Sequence, residues 1–294
     1  MDFTKIEQKR INLFQSYKKK RELGFLLLVA GLAIVLIFSV IIAVYINTGP
    51  IFIISLVIGV LLNLTAAIFL FLAYRERKNF ENSFCHHIER EVIDVLYEAP
   101  VFVDEDKIDL SEIMSFELVD QPDRYQISNH FVSKYKKVEI EMAKIALEKE
   151  EKQKKKIVHK AYFSGFFIHL KMKMPFKGTL LIKEAEFWEK ESDTEFEKFE
   201  VSSAEFNQKI KMYTSSKELA KHILKDQVVK CLTNIALSGG SQISLVVKDE
   251  NSYLIFNNQT SCFKPKIKEI LNEASLKPVI EQFTLPKDLI DAIG

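Results

Sequence analysis

The hydrophobic pattern of the chain is dominated by one long block without charge. Residues 24–74 contain no Asp, Glu, Lys or Arg, although charged residues make up 28% of the chain. Within the block, residues 24–46 and 51–73 are two runs of predominantly apolar residues. Each run extends about 34 Å as a helix at ~1.5 Å per residue, and the hydrocarbon core of a bilayer is ~30 Å thick. The pattern therefore predicts two membrane-spanning helices.

A short polar sequence at residues 47–50, Asn-Thr-Gly-Pro, separates the two runs. Glycine permits unusual backbone dihedrals there, and proline can begin the next helix without losing a needed donor. Because backbone polar groups in lipid must be satisfied internally, we expect two antiparallel helices joined as a hairpin. A secretory signal peptide is the competing interpretation of the first run, but the polar stretch before it is long and no small-residue cleavage pattern follows.

Basic residues flank the hairpin at both outer ends and are absent from its turn. Residues 1–23 carry seven basic and three acidic side chains, a net charge of +4, so the remainder sums to −3 in a chain of net charge +1. Basic flanks stay in the cytoplasm. The sequence therefore predicts an inner-membrane protein with two crossings and both termini cytoplasmic. The flanking residues are Lys18, Lys19, Lys20, Arg21, Arg75, Arg77 and Lys78.

Small residues within the runs predict close packing of the two helices. Reflection about the turn places Gly31 near Ala66 and Ser39 near Gly59. Asn63 lies near the middle of the bilayer, where we expect it to hydrogen-bond between the helices. The alternative, a conducting or binding path, is disfavoured because neither run carries an ionisable residue. The hairpin is interpreted as an anchor and as a candidate surface for self-association.

An amphipathic segment is predicted on each side of the hairpin. In residues 1–23, apolar side chains recur near helical spacing with basic residues between them, which predicts a basic amphipathic arm. The arm lies either on the anionic inner leaflet or against the cytoplasmic domain, and the sequence favours neither. Apolar residues every four positions from Phe80 to Leu96 predict a stalk, residues 75–99, that continues the second spanning helix.

Beyond the stalk the apolar pattern alternates, which predicts an α+β cytoplasmic domain over residues 101–265 with a mainly antiparallel sheet. We interpret residues 138–147 as a strand with a bulge near Ala143, residues 148–156 as an exposed hairpin tip, and residues 157–174 as a strand with a fully buried middle. Further strands are predicted at residues 179–183, 209–213, 242–248 and 253–257.

Helical segments are predicted towards the end of the chain. A helix is expected after the hydroxyl caps of Ser215 and Ser216, and a second runs through residues 228–237. Residues 266–294 are predicted to form a C-terminal helical segment in two pieces around Pro278 and Pro286.

Candidate chemistry is sparse. Cys85-His86-His87 suggests a metal site, but adjacent helical residues point in different directions. His159 and His169 share strand parity, yet ten residues of strand separate them by roughly 33 Å. Trp188 is either an anchor for a partner or, as we favour, a partly buried residue. The near-neutral chain is not expected to bind nucleic acid, and we predict no catalytic, cofactor-binding or metal-binding residue.

The order of features from about Tyr125 to Phe263 resembles a bacterial membrane-protein family, domain of unknown function 3137. The resemblance implies paired spanning helices ahead of the domain and no established activity. The sequence departs from the family pattern at Ile210, where an aromatic residue is usual, and at Lys221-His222, where an arginine-aromatic pair is usual. The residues that carry the resemblance are 163–167, 176–179, 205–214, 219–224 and the hairpin at 249–256.

Three functions from different classes are open at this point. The first is a membrane-anchored interaction or scaffolding module whose partners are the lipid bilayer and either another protein or a second copy. The second is a membrane-bound enzyme with a site assembled from distant loops. The third, a small transporter subunit, is disfavoured by the uncharged spans. Absence of a local catalytic signature favours the module.

Overall fold

The computed structural model describes residues 4–44, 49–103, 108–116, 119–153, 156–184, 196–237, 243–257, 266 and 268–294. The chain forms two compact units. The first consists of residues 1–88 and 262–277, and the second of residues 89–261 and 278–294. Asn47 and Thr48 of the predicted turn lie outside the described residues, and so does Trp188.

Two long helices make up most of the first unit: α1, Thr4–Val44, and α2, Gly49–Leu96. Because α1 is continuous, the basic arm is not a separate helix but the beginning of α1. The helix α2 contains the second apolar run and the predicted stalk. It ends at Leu96, earlier than the expected residue 99, because the residue before Pro100 is disfavoured in helical conformation; that residue, Ala99, has a φ of 45°.

The apolar parts of α1 and α2 are long and apolar enough to cross a membrane by length and composition. Within the protein they are mostly exposed: 12% of the most apolar stretch of α1 and 17% of that of α2 is buried. A core helix of a soluble domain would be covered by its neighbours instead.

The arm of α1, residues 4–23, packs against α2 and against the C-terminal part of the first unit. Its buried side chains are Ile6, Arg10 and Tyr17. Glu7 accepts from the backbone N–H of Leu271 at 3.0 Å and from Arg10 at 2.6 Å. The arm thus buries part of its apolar side within the first unit.

The second unit is built on a nine-stranded sheet in which every described pairing is antiparallel. The strand order is β1-β2-β3-β4-β9-β8-β5-β7-β6. The strands are β1 Glu98–Phe102, β2 Arg124–Tyr135, β3 Val138–Gln153, β4 Lys156–Lys171, β5 Thr179–Glu184, β6 Glu197–Phe199, β7 Ile210–Thr214, β8 Ile243–Lys248 and β9 Asn251–Asn257. The remaining helices are α3 Ser111–Ser115, α4 Ala204–Lys209, α5 Lys217–Ile223, α6 Asp226–Leu237 and α7 Glu273–Ile293.

The central strands carry buried apolar side chains on both faces. Ala143, Ile145 and Leu147 of β3 lie in one apolar cluster with Ile113 of α3. On the opposite face, Phe166 of β4 contacts Phe283 of α7 edge to face, at 5.7 Å between ring centroids. The predicted central position of residues 162–167 is confirmed, because β4 pairs with β3 on one side and β9 on the other.

Three predictions about local structure need correction. The bulge lies in β2, at Asn129–His130, opposite Ala143, and β3 is regular there. The change of apolar phase along β3 arises because its two ends are buried on opposite faces. Of the stretch 148–156, predicted as an exposed hairpin tip, residues 148–153 and 156 belong to β3 and β4, and residues 149–152 are exposed as expected.

The third correction concerns α7, which is one helix across Pro278 and Pro286. The helical caps and the other strands agree more closely with the sequence. The hydroxyl cap is confirmed at Ser216, whose Oγ accepts from the N–H of Leu219. The predicted strand at 209–213 begins at Ile210, because Lys209 ends α4.

Candidate functional site

The two apolar helices touch where their side chains are smallest. A Cβ added to Gly31 would lie 2.7 Å from Nδ2 of Asn63, and one added to Gly59 would lie 2.6 Å from Cγ2 of Val35. Ala66 is fully buried. Close approach of helix backbones through small residues is the usual packing of apolar helices that have no hydrophobic driving force between them.

The register of this contact differs from simple reflection about the turn by about one helical turn. Gly31 lies against Asn63 and Gly59, and not against Ala66 as expected. Ser39 is exposed and donates to the carbonyl of Leu36 on its own helix. The observed register places each glycine opposite a larger side chain, which fills the groove better than glycine against alanine would.

Asn63 does not hydrogen-bond between the helices. Its Nδ2 donates to the carbonyl of Gly59 at 2.7 Å, within α2. The amide therefore occupies the space over Gly31 while its donor is satisfied on its own helix. Asn63 therefore contributes to the packing of α1 against α2.

We expect Gly31→Ile to weaken the helix pair by about 1–3 kcal/mol, because overpacking forces the backbones apart. Ala33→Ile is the matched control, because Ala33 faces away from the contact and is exposed. Thermal unfolding followed by circular dichroism in one mild detergent compares the two variants. Equal melting temperatures for both would contradict the described register.

The basic flanks occupy the ends of both apolar segments, and part of them pairs with acids. Lys20 and Ser16 both bond to the carboxylate of Glu76, which joins α1 to α2. Lys18 lies 3.8 Å from Glu22, and the Arg21 guanidinium lies over the ring of Tyr17 at 5.8 Å. The exposed members of the set are Lys18, Lys19, Arg21, Arg75, Arg77 and Lys78.

A second polar group lies in the sheet of the second unit and joins four neighbouring strands. Glu141 of β3 contacts Nε2 of His130 on β2 at 2.9 Å and Nδ1 of His169 on β4 at 3.3 Å. Nε2 of His169 lies 3.0 Å from Oδ1 of Asn251 on β9, and its ring stacks on Tyr253 at 4.5 Å. We call these five residues the histidine–glutamate network.

The network holds its charges in place. The hydrogen bond from His130, and to a smaller extent the one from His169, lowers the pKa of Glu141 to about 2. Burial alone would lower the pKa of His169, but the bonds to Glu141 and Asn251 outweigh it, so this pKa is raised. With oxygen acceptors at both ring nitrogens, the imidazolium form of His169 donates to both.

Stability should therefore fall on both sides of mildly acidic pH. Glu141 has a lowered folded pKa, so its contribution is complete above its unfolded pKa, near 4.5, and is lost as the pH falls towards 2. His169 has a raised folded pKa, so its contribution is complete below its unfolded pKa, near 6.5, and is lost as the pH rises through the folded value.

Melting temperatures of the protein and of Glu141→Gln between pH 3 and 8 test this, and the variant should show a flatter profile. Glu139→Gln is the control, because it removes a half-exposed carboxylate, paired with Lys134, from the same strand. If Glu141→Gln and Glu139→Gln gave the same profile, the network would not be the source of the dependence.

The network was not predicted, because the sequence does not reveal the pairing register of β3 and β4. The pairing of Gln153 with Lys156 would by itself place Glu141 opposite Ile168, and a register shift between Leu147 and Glu148 moves it opposite His169. The predicted tip at 148–156 is centred a few residues earlier. His130 enters the group through the bulge in β2, which the alternation of apolar residues in that strand does not indicate.

The other candidate residues are not brought together. His86 is exposed, and Nε2 of His87 lies 2.9 Å from Nζ of Lys9. His159 lies 4.0 Å from Glu150 on the exposed end of the β3–β4 hairpin. Among the described residues, no group of three His, Cys, Asp or Glu is arranged to hold a metal ion.

Comparison with protein families identifies the second half of the chain. Residues 161–294 match the family model DUF3137, a protein of unknown function. This second part of the chain is similar to that family. The match to DUF3137 begins within β4 and extends through α7, so it starts later than the resemblance at Tyr125 and includes the C-terminal helix that the resemblance left out.

Two further comparisons add little to the family. No curated protein matches the chain. Among solved structures, the chain is similar to the mycobacterial trehalose monomycolate transport factor A, TtfA, at 10% sequence identity and a TM-score of 0.33. That similarity covers 71% of this chain and 96% of TtfA, and at this TM-score it carries no inference about function.

Proposed function

We propose that this protein is anchored in the cell membrane by α1 and α2, which cross the bilayer as a hairpin. The observation that carries the proposal is the exposure of the apolar stretches, of which 12% and 17% are buried in the protein. Large side chains such as Phe25, Leu36 and Ile53 are exposed along both helices. Contiguous apolar surface of this extent exceeds what a soluble monomer exposes, and lipid is the solvent that it fits.

Both termini of the protein are cytoplasmic in this proposal. Basic residues accompany each apolar segment at the end remote from the turn, and residues 47–50 contain none. The positive-inside rule then places the arm, the continuation of α2 and the second unit on the cytoplasmic side.

The second unit serves as an interaction or scaffolding module. Both carboxylate oxygens of Glu141 are occupied by histidines, and the network thus joins neighbouring strands. The small residues Gly31 and Gly59 are covered within the hairpin. Partner binding is therefore assigned to the second unit, with another protein, and not to self-association through the small residues.

Reporter fusions test the topology. Alkaline phosphatase, which is active only outside the cytoplasm, should be inactive after Gly294 and active when inserted between Thr48 and Gly49. A green fluorescent protein fusion at each position should give the opposite result. Phosphatase activity after Gly294 would overturn the proposed orientation.

Co-purification tests the module. The protein is recovered from native membranes in mild detergent, alone and after Gly31→Ile. A stoichiometric partner retained with both proteins supports binding through the second unit. Recovery of the protein alone in every detergent would contradict the scaffolding proposal, as would a bound small molecule turned over by the purified protein.

A further inference from the structure

A cavity of about 340 Å³ lies between the arm of α1 and the part of α2 that follows its apolar run. All of its lining belongs to the first unit. Leu13, Phe80 and Phe84 form its apolar wall, and the two phenylalanine rings stack at 4.4 Å. Lys9, Glu76 and His87 supply polar atoms at its edge. An apolar cavity of this size with a few convergent polar groups has the build of a small-molecule site.

The charges at the edge of the cavity do not cancel. The carboxylate of Glu76 is paired with Lys20 and also accepts from Ser16. Nζ of Lys9 lies 2.9 Å from Nε2 of His87, and it has no carboxylate partner among the side chains that the structure describes. The ammonium of Lys9 is thus a positive charge without a described counterion beside an apolar wall.

We propose that this cavity binds a single-chain amphiphile with an anionic head, a carboxylate or a phosphate. The chain of the ligand lies on Leu13, Phe80 and Phe84, and the head accepts a charge-assisted hydrogen bond from Lys9. A neutral amphiphile of the same length gains the apolar contact but not the bond to Lys9, so the site discriminates by charge. A phospholipid within the leaflet is the alternative occupant, and the distance of the cavity from the apolar run of α1 disfavours it.

The position follows from the length of α1. Leu13 precedes Gly24 by eleven residues, which is about 16 Å along a helix. The headgroup layer on each side of a bilayer is only about 5–8 Å thick. If α1 crosses the membrane as proposed above, the cavity lies beyond the headgroups, and its ligand has left the leaflet or comes from the cytoplasm. This placement rests on the proposed anchor, whereas the cavity and its charge do not.

Photolabelling of the full chain tests the site. The protein is reconstituted in phosphatidylcholine nanodiscs and irradiated with one of three diazirine probes of equal chain length: a fatty acid, a lysophosphatidic acid and a fatty alcohol. Mass spectrometry then maps the labelled peptides. We expect at least one anionic probe to label the peptides that contain Leu13 and Phe80–Phe84 about tenfold more than the alcohol does, and the preferred probe distinguishes carboxylate from phosphate.

Three variants sharpen the test. Lys9→Gln should reduce labelling by the anionic probe about tenfold without changing labelling by the alcohol, and Leu13→Trp should reduce labelling by all probes because it fills the cavity. Lys5→Gln is the matched control, since Lys5 is exposed on the same arm and does not line the cavity. Equal labelling by the alcohol, equal effects of Lys9→Gln and Lys5→Gln, or labels confined to the apolar runs would each overturn the proposal.

Entry into the discs is scored separately, by co-elution of protein and lipid. The labelling criterion applies to whichever fraction contains the protein, in the discs or outside them. Failure of the anchor and failure of the cavity are therefore distinct results.

Discussion

Gly165→Ala is expected to destabilise the second unit by about 3 kcal/mol or more, or to prevent its folding. A Cβ at this position would lie 2.0 Å from the carbonyl oxygen of Phe256 and 2.8 Å from Cα of Asn257. Both atoms belong to the backbone of β9, which pairs with β4 at Gly165. A backbone cannot rotate away as a flexible side chain can, so the two strands must separate.

Thermal unfolding of the full chain measures this effect. For a domain of this size, a loss of about 3 kcal/mol lowers the melting temperature by about 6–12 °C. Ser164→Ala is the matched control, because Ser164 is the preceding residue of β4 and is exposed. If Gly165→Ala and Ser164→Ala had the same melting temperature, the described close approach of β9 to Gly165 would be contradicted.

Glu89→Ala is expected to cost the second unit about 3–5 kcal/mol, because it leaves a buried charge without its partner. Glu89 is 1% exposed and accepts from Lys144 of β3 and from Asn129 of β2. The Lys144 ammonium also lies over the rings of Phe166 and Phe283, at 5.4 and 5.9 Å from their centroids. Without Glu89, this cation would be surrounded mainly by apolar side chains.

A double replacement separates the ion pair from the packing. Glu89→Leu combined with Lys144→Met removes both charges while it keeps the apolar volume, and it should recover part of the loss. Asp94→Ala is the control, an exposed acid on the same helix. If the double variant were no more stable than Glu89→Ala, the unpaired charge of Lys144 would not explain the destabilisation.

Much of the fold could be predicted from apolar periodicity. The uncharged block indicates two long helices. Alternation of apolar and polar residues indicates β4, β8 and β9, the strand that pairs with both. The apolar period does not reveal an element when polar and apolar residues share the same face. The strand β2 has polar and apolar residues on both faces and was not predicted, and the short elements α3, α4 and β6 are below the length at which a period is recognisable.

The candidate site was less predictable for a physical reason. The histidine–glutamate network joins residues on four strands, and an error of a few residues in the register of β3 against β4 is enough to separate Glu141 from His169. Similarly, the cavity beside Lys9 depends on how the arm of α1 packs on α2. That packing includes the contacts of Lys20 and Ser16 with Glu76, and the spacing of these residues in the sequence does not indicate that they meet.

The bond between Glu7 and the backbone of Leu271 joins residues 264 positions apart. The ribosome synthesises the arm before it synthesises the segment around Leu271. Until that segment has emerged, the carboxylate of Glu7 lacks the backbone N–H from which it finally accepts a hydrogen bond. The contact between the arm and this segment therefore forms after α1 and α2 have both been made.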